Sequence, residues 1–365
     1  MNKFVFVHLY NDRSGSPRVL SQVLRLFSRV GVDFEVITSK FDDGFISESE
    51  FSINEIFYKR SRFRILTLIY YSITQVQLFF KCLRYFREDV IFYVNTLMPC
   101  GAAIAAKLMR KDVIYHVHEV SIQPPQLKNL LAFILERTAS KVIFVSQFVK
   151  SHYLLKDVQN KVVYNSVSRM PLKSPQAPVR LGEEFIILMV CSLKIYKGIN
   201  EFVNIAEMFS GRYGFRFRIV LNADYEEVQS WARRFSRLDN FDVFSRQVSL
   251  SSFYKEADLV LNLTQPDQCQ ETFGLTIVEA MSYGIPVVAP PIGGPVEIVR
   301  HNFNGFLISC YDLNAIEEAI VFLSVDAEAY KIMSDAALET AEFFSVRRFE
   351  DSLIEFVLNS GVDIE

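Results

Sequence analysis

The apolar positions of this chain fall into short runs separated by longer stretches of helical spacing. Phe4–His8 has strand length, and a polar loop, Asn11–Ser16, follows it. Val19, Leu20, Val23, Leu24, Leu26 and Phe27 then recur at the spacing of a helix over Val19–Val30. Gly31 ends that helix, and Asp33–Thr38 reads as a second strand. Further strands are predicted at Val90–Val94, Val113–His116, Val142–Val145 and Lys161–Tyr164, with helices between them. Alternation of strands and helices, with strands that are apolar throughout, predicts a parallel sheet covered on both faces.

The pattern breaks at Asn165. Residues 166–182 hold Pro171, Pro175 and Pro178 and few large apolar groups, the composition of a linker. A second series then begins, with strands predicted at Phe185–Cys191, Phe217–Asn222, Phe241–Phe244, Leu259–Leu263, Val287–Ala289 and Gly305–Leu307. The expected fold is therefore α/β, with two Rossmann-like, doubly wound domains at 1–165 and 183–344. In such sheets ligands bind beyond the carboxyl ends of the strands. Two facing sheets would place that region in a central cleft.

One element stands apart. Ile65–Phe80 is the longest apolar-rich run without charge, but it is short for a membrane span and holds two Gln, two Thr and a Ser. A buried helix is the first reading, and a helix lying partly on a membrane surface is the second. The flanks favour the second: Lys59, Arg60, Arg62 and Arg64 precede the run, and Lys81, Arg84 and Arg87 follow it.

Composition adds limits. The 365 residues suit two cores, and a chain that is 50% hydrophobic and 22% charged is folded, not disordered. The net charge of -3 conceals a basic first half: residues 1–165 carry 22 Lys and Arg against 14 Asp and Glu, leaving 17 against 28 in the remainder. A basic half attracts an anionic surface or substrate, or the two halves attract each other. The basic residues form no recognisable nucleic-acid module, so no nucleic-acid partner is expected. Five scattered cysteines without a C-x-x-C pair predict reduced thiols. The first apolar run is too short for a signal-peptide core, so a cytoplasmic protein is expected, with the inner face of the plasma membrane as a second location through residues 58–87.

The chemistry concentrates in residues 257–299. The stretch Glu271–Glu279 reads ETFGLTIVE. Gly274 lets the backbone approach a ligand, and the first N–H groups of the following helix form an anion site suited to a diphosphate. Glu271 is expected at the loop end and Glu279 about two turns into the helix. Carboxylates accept hydrogen bonds from paired hydroxyls. In the first half, His116 and His118 share a strand face. A metal pair there lacks a third ligand, so no metal is expected, and His116 reads as structural. Gly15 and Ser16 lie between the first strand and helix, where a loop can approach phosphate, or Ser16 can cap the helix with Pro17 in its first turn.

The string Pro266–Gly294 resembles the donor-binding signature of glycosyltransferase family 4, retaining enzymes of the GT-B fold. Cys191–Gly198, reading CSLKIYKG, resembles the family's R-L-x-x-x-K-G element. Asn165–Val167 is similar to its N-G-V element, and Gly15–Leu20 to its N-terminal glycine loop. Tyr115–Glu119 also fits, and Val346–Leu358 resembles a helix that crosses back to the first domain, giving a final segment 345–365. The resemblance implies a hexosyltransferase that moves a sugar from a nucleotide-sugar donor to a glycan or lipid-linked acceptor in bacterial surface polysaccharide synthesis, without a cofactor or metal. It implies that Glu279 holds the ribose, that Glu271 contacts sugar hydroxyls and that Lys197 neutralises the leaving diphosphate. Backbone amides at Phe273, Gly274, Leu275 and Thr276 would cradle sugar and phosphate, and His118 would hydrogen-bond near the reacting centre. The family places Arg where this chain has Ser192. Lys194 can supply the missing cation, Lys197 and the helix start can suffice, or the site is weakened. Another GT-B enzyme such as an epimerase, or an inactive nucleotide-sugar-binding protein, is the alternative.

Overall fold

The computed structural model describes residues 3–40, 44–47, 51–167 and 184–358. The chain divides into two compact units, Met1–Asn165 together with Phe349–Glu365, and Ser166–Arg348. The expected linker, apart from Ser166 and Val167, lies outside the described residues.

The first unit runs β1 (Lys3–Val7), α1 (Gly15–Arg29), β2 (Phe34–Ser39), β3 (Ile53–Ile56), α2 (Arg64–Cys82), β4 (Val90–Asn95), α3 (Cys100–Leu108), β5 (Val113–Val117), α4 (Pro125–Thr138), β6 (Lys141–Phe144), α5 (Gln147–Ser151) and β7 (Gln159–Val162). Among the described residues its seven strands are ordered β3-β2-β1-β4-β5-β6-β7, and every pair is parallel. Phe4, Val5, Phe6 and Val7 are all buried, as a strand covered on both faces requires. Phe27 of α1 packs edge-on against Phe4 and Phe6 at 5.0 and 5.2 Å, so the abundant phenylalanines build this core. β3 was not expected. It is a four-residue edge strand with only Ile56 buried, too short to give a period. β7 lies two residues before its expected position, and α1 begins at Gly15 with Ser14, not Ser16, in the cap position.

The reading of Ile65–Phe80 as a buried helix is corrected. Tyr71, Thr74, Leu78 and Cys82 form the buried face of α2. Ile65, Ile69, Ile73, Val76 and Phe80, also three or four residues apart, are exposed, with Ile65 retaining 74% of its accessibility. The buried face is set by close approach to α3: a Cβ on Gly101 would stand 2.1 Å from the carbonyl oxygen of Gln75.

The second unit runs β8 (Phe185–Cys191), α6 (Ile199–Met208), β9 (Phe215–Leu221), α7 (Tyr225–Ala232), β10 (Phe241–Phe244), α8 (Ser251–Glu256), β11 (Leu259–Leu261), α9 (Leu275–Met281), β12 (Val287–Ala289), β13 (Gly305–Leu307), α10 (Leu313–Val325), α11 (Ala327–Phe343) and α12 (Val346–Leu353). Among the described residues its six parallel strands are ordered β10-β9-β8-β11-β12-β13. Both sheets thus reverse their winding beside the first strand, between β1 and β4 and between β8 and β11. The chain from Phe349 onward, within α12, belongs to the first unit, where Lys141 Nζ donates to Phe356 O at 3.0 Å and Arg29 meets Glu350 at 2.5 Å.

Candidate active site

In the second unit three loops meet at the carboxyl ends of β8, β11 and β12. The loop after β8 ends in the turn Ile195–Lys197, and Gly198 follows at φ 82° as the start of α6. A side chain at Gly198 would stand 2.1 Å from Leu263 O, so only glycine lets this loop reach the one after β11. Gln265 N–H donates to Tyr196 O at 2.8 Å and fastens the two. Gly294 N–H, after β12, donates to Glu271 O at 2.8 Å, and a Cβ there would lie 2.5 Å from Phe273.

This arrangement brings Lys197 Nζ within 2.6 Å of Glu271 Oε2, each side chain keeping 21% of its exposure. Burial alone would lower Lys197 and raise Glu271. The attraction between them outweighs it in both cases: the ammonium is held above its ordinary 10.5 and the carboxyl below its ordinary 4.5. Thr264 Oγ1 approaches Glu271 Oε2 at 3.4 Å and donates to Asn262 Oδ1 at 2.8 Å. Gly274, at φ 111°, turns the chain into α9, whose first N–H groups lack intrahelical acceptors. Phe273 is buried against Phe344, ring centroids 5.5 Å apart, which leaves only its backbone for a ligand. Glu279 lies four residues after Leu275, about one turn into a short helix and not two. It is buried and accepts from Tyr254 Oη at 2.9 Å, and the Tyr254 ring stacks on Tyr283 at 5.4 Å. Ser192 contributes a carbonyl that accepts Lys194 N–H at 2.7 Å, closing a tight turn with the Lys194 side chain exposed.

In the first unit the carboxyl ends of β1, β4 and β5 carry a polar network of histidine and amide groups. His8 follows β1, Asn95 ends β4, and His118 and Glu119 follow β5. His8 Nε2 lies 2.9 Å from Tyr10 O. Asn95 Nδ2 lies 3.1 Å from His8 Nδ1 and 3.2 Å from Ser16 O, and Asn95 Oδ1 lies 3.0 Å from His118 Nε2. Burial pushes His8 down to about 4, opposed by the carbonyls of Asn95 and Tyr10. His118 is lowered by burial and then by His116 and His8. His116, fully buried with Tyr93 Oη 2.8 Å from Nδ1, packs 4.4 Å from the His118 ring, a structural histidine sharing a face with its neighbour.

Glu119 is pushed up to about 7 by burial, against the N–H groups of Leu97 and His118, which it accepts at 3.4 and 3.3 Å. It anchors a strained loop: Thr96 has φ 76°, which costs a β-branched residue roughly 1–3 kcal/mol.

Lys197 and Glu271, 74 residues apart, are joined, and Ser16 joins the first-unit network through its carbonyl. Gly15 is an exposed first residue of α1. His8, Asn95, Asn262 and Thr264 were missed. Their signal was position, since each ends or follows a strand beside the point where the winding reverses.

The profile described as Glycosyltransferase Family 4 matches residues 13–169, and that described as Glycosyl transferases group 1 matches residues 173–340. An uncharacterized glycosyltransferase of Haemophilus influenzae is 21% identical over 353 residues, covering 94% of this chain and 96% of its own length. N-acetyl-alpha-D-glucosaminyl L-malate synthase of Bacillus anthracis is 23% identical over 274 residues, 70% of each chain. The crystal structure of Anabaena Alr3699/HepE in complex with UDP and glucose superposes with a TM-score of 0.79 at 20% identity, covering 99% of this chain and 100% of that one.

Proposed function

The chain belongs to the family-4-type glycosyltransferases of the GT-B fold, and from that premise we propose that it transfers a hexose from a nucleotide sugar, with retention, to a glycan or lipid-linked acceptor of a bacterial surface polysaccharide. The observation that carries the reading is the Lys197–Glu271 pair beside the Gly274 turn. Breaking the bond between sugar and phosphate builds negative charge on the diphosphate. Glu271 keeps Lys197 charged in a half-buried position, so a fixed cation is available at every working pH. The ammonium has three N–H groups, and one serves Glu271, so two remain for phosphate oxygens. Backbone N–H groups from Phe273 to Thr276 share that task. Glu279 holds the ribose, Glu271 takes sugar hydroxyls, and His118 hydrogen-bonds beside the reacting carbon. The leaving phosphate accepts the proton of the attacking hydroxyl. No cofactor or metal is required, because Lys197 and the N–H groups supply the positive field. The UDP and glucose bound by the Anabaena relative support a nucleotide-sugar donor.

The acceptor reading rests on α2. Its exposed apolar stripe lies among Lys59, Arg62, Arg64 and Arg87, a pattern suited to an anionic lipid surface. Not every flanking base is available: Arg84 pairs with Glu35 at 2.5 Å, Lys81 donates to Glu55 O at 2.6 Å, and Arg60 lies over the Tyr10 ring at 4.4 Å. Among the described residues no helix is long and apolar enough to cross a membrane.

The deciding experiment is a binding and turnover screen of the purified protein with UDP-, GDP-, ADP- and dTDP-sugars. One donor should bind and release its nucleotide when acceptor is added, and Glu279→Ala should weaken that binding. Binding of a donor without nucleotide release, whatever acceptor is added, would favour the second reading, a nucleotide-sugar-binding protein without turnover. Ser192 is the observation behind that reading, because its side chain brings no charge where the family has Arg.

A further inference from the structure

We propose that Asn95 is a positioning residue that fixes His118 in the tautomer protonated at Nε2, so that His118 presents Nδ1 as an acceptor for a substrate hydroxyl. The class of ligand rests on the glycosyl-transfer reading. The tautomer rests on geometry alone.

The hydrogen-bond directions follow from two backbone carbonyls. Tyr10 O can only accept, so His8 Nε2, 2.9 Å away, carries a proton. A neutral His8 then has a bare Nδ1, which needs a donor, and Asn95 Nδ2 stands 3.1 Å from it. The same Nδ2 lies 3.2 Å from Ser16 O, a second group that only accepts. Turning the Asn95 amide over would set its oxygen against both of these acceptors. Oδ1 therefore faces His118 Nε2 at 3.0 Å, and His118 must donate there. One contact competes: Asn95 O lies 3.4 Å from His8 Nδ1 and would welcome a proton on it. That contact is the longer one, and a proton there would confront the amide donor. Burial also disfavours the doubly protonated ring.

With Nε2 committed to Asn95, Nδ1 of His118 has no partner among the described residues, and the side chain is only half-buried. A neutral acceptor nitrogen suits a hydroxyl and repels the acceptor oxygens of a phosphate. His118 accordingly selects for the sugar or acceptor hydroxyl and against the diphosphate, which the second unit's cation serves.

The test is a long-range 1H–15N correlation of the histidine rings in the full-length protein, with His118 assigned by its disappearance in His118→Gln. The expected wild-type spectrum has His118 protonated at Nε2 and bare at Nδ1. Asn95→Leu removes the acceptor, so the two His118 nitrogen shifts should move toward each other. Its kcat/KM with the donor identified in the screen should fall about three- to ten-fold, as for loss of one neutral hydrogen bond. Asn95→Asp keeps an acceptor opposite Nε2 and should restore the His118 signature, although its second oxygen faces Ser16 O and lowers the Tm. A purely structural role would lower the Tm in both variants and leave the tautomer untouched. A proton on Nδ1 in the wild type, or an unchanged tautomer in Asn95→Leu, overturns the proposal. The spectra need no substrate, so a protein inert to every nucleotide sugar would sink the functional reading while this one is still decided.

Discussion

The two units share a strand order and reverse their winding at the same place, yet they equip that place differently. At the ends of β8 and β11 stands an ion pair, Lys197 with Glu271, whose mutual attraction outweighs the cost of burial and keeps both groups charged. At the ends of β1, β4 and β5 stand His8, Asn95 and His118, for which no comparable partner offsets burial, so the rings stay neutral. Topology delivers side chains to the reversal point in both sheets. Residue type decides whether the field there is charged or only polar. A charged site suits a diphosphate, and a neutral one suits hydroxyls.

The largest expected effect comes from breaking the ion pair. Lys197→Ala should cost about 2–4 kcal/mol in urea melts, less than a fully buried pair because of the residual exposure, and nearly abolish turnover. Adding Glu271→Gln should recover stability but not turnover. Equal stability of wild type and Lys197→Ala would show that the pair is not the charged centre of its unit.

Next come two glycines, one in each unit. Gly198→Ala meets both a left-handed φ of 82° and a carbonyl at 2.1 Å, and should cost about 2–4 kcal/mol. Gly101→Ala meets a carbonyl at the same distance without the left-handed backbone, and should cost about 1–3 kcal/mol. Thermal melts that reverse this order would remove the special status of the Lys197 loop.

A pH series sharpens the contrast. Glu119 has a folded value of about 7 against an ordinary 4.5, so the folded state holds the extra proton between these values. Its contribution to stability is fully present below pH 4.5 and declines as pH rises through 7, by up to about 3 kcal/mol. Glu119→Gln should remove that slope, read from urea midpoints between pH 4.5 and 7.5. His8, His116 and His118 act in the opposite sense, losing stability as pH falls below 6.5, and all three are common to both proteins. The Lys197–Glu271 pair should add no slope between 4.5 and 10.5, since one group titrates below that window and the other above it. A wild-type curve that runs parallel to that of Glu119→Gln would mean that its carboxyl is not buried as described.

The smallest effect on stability belongs to the exposed face of α2. Ile69→Gln with Ile73→Gln should leave the melt within about 0.5 kcal/mol. The same pair should abolish flotation with anionic vesicles at low salt, and wild-type protein that never floats would count against the membrane reading.

The sequence by itself determined the periodic elements, the break at Asn165, and the string Glu271–Glu279, whose glycine and glutamates stand close together in the chain. These are local properties: a run of apolar residues, a proline-rich stretch, or a glycine before a helix declares itself within a few residues. β3 escaped because four residues, one of them buried, carry no readable period. The tertiary structure alone decided which distant groups meet. Lys197 reaches Glu271 across 74 positions and His8 reaches Asn95 across 87, because parallel crossovers bring the carboxyl ends of non-consecutive strands side by side. It also decided the fate of α2. Spacing shows two apolar faces, but only packing against α3 shows which one is covered and leaves Ile65, Ile69 and Ile73 to the solvent.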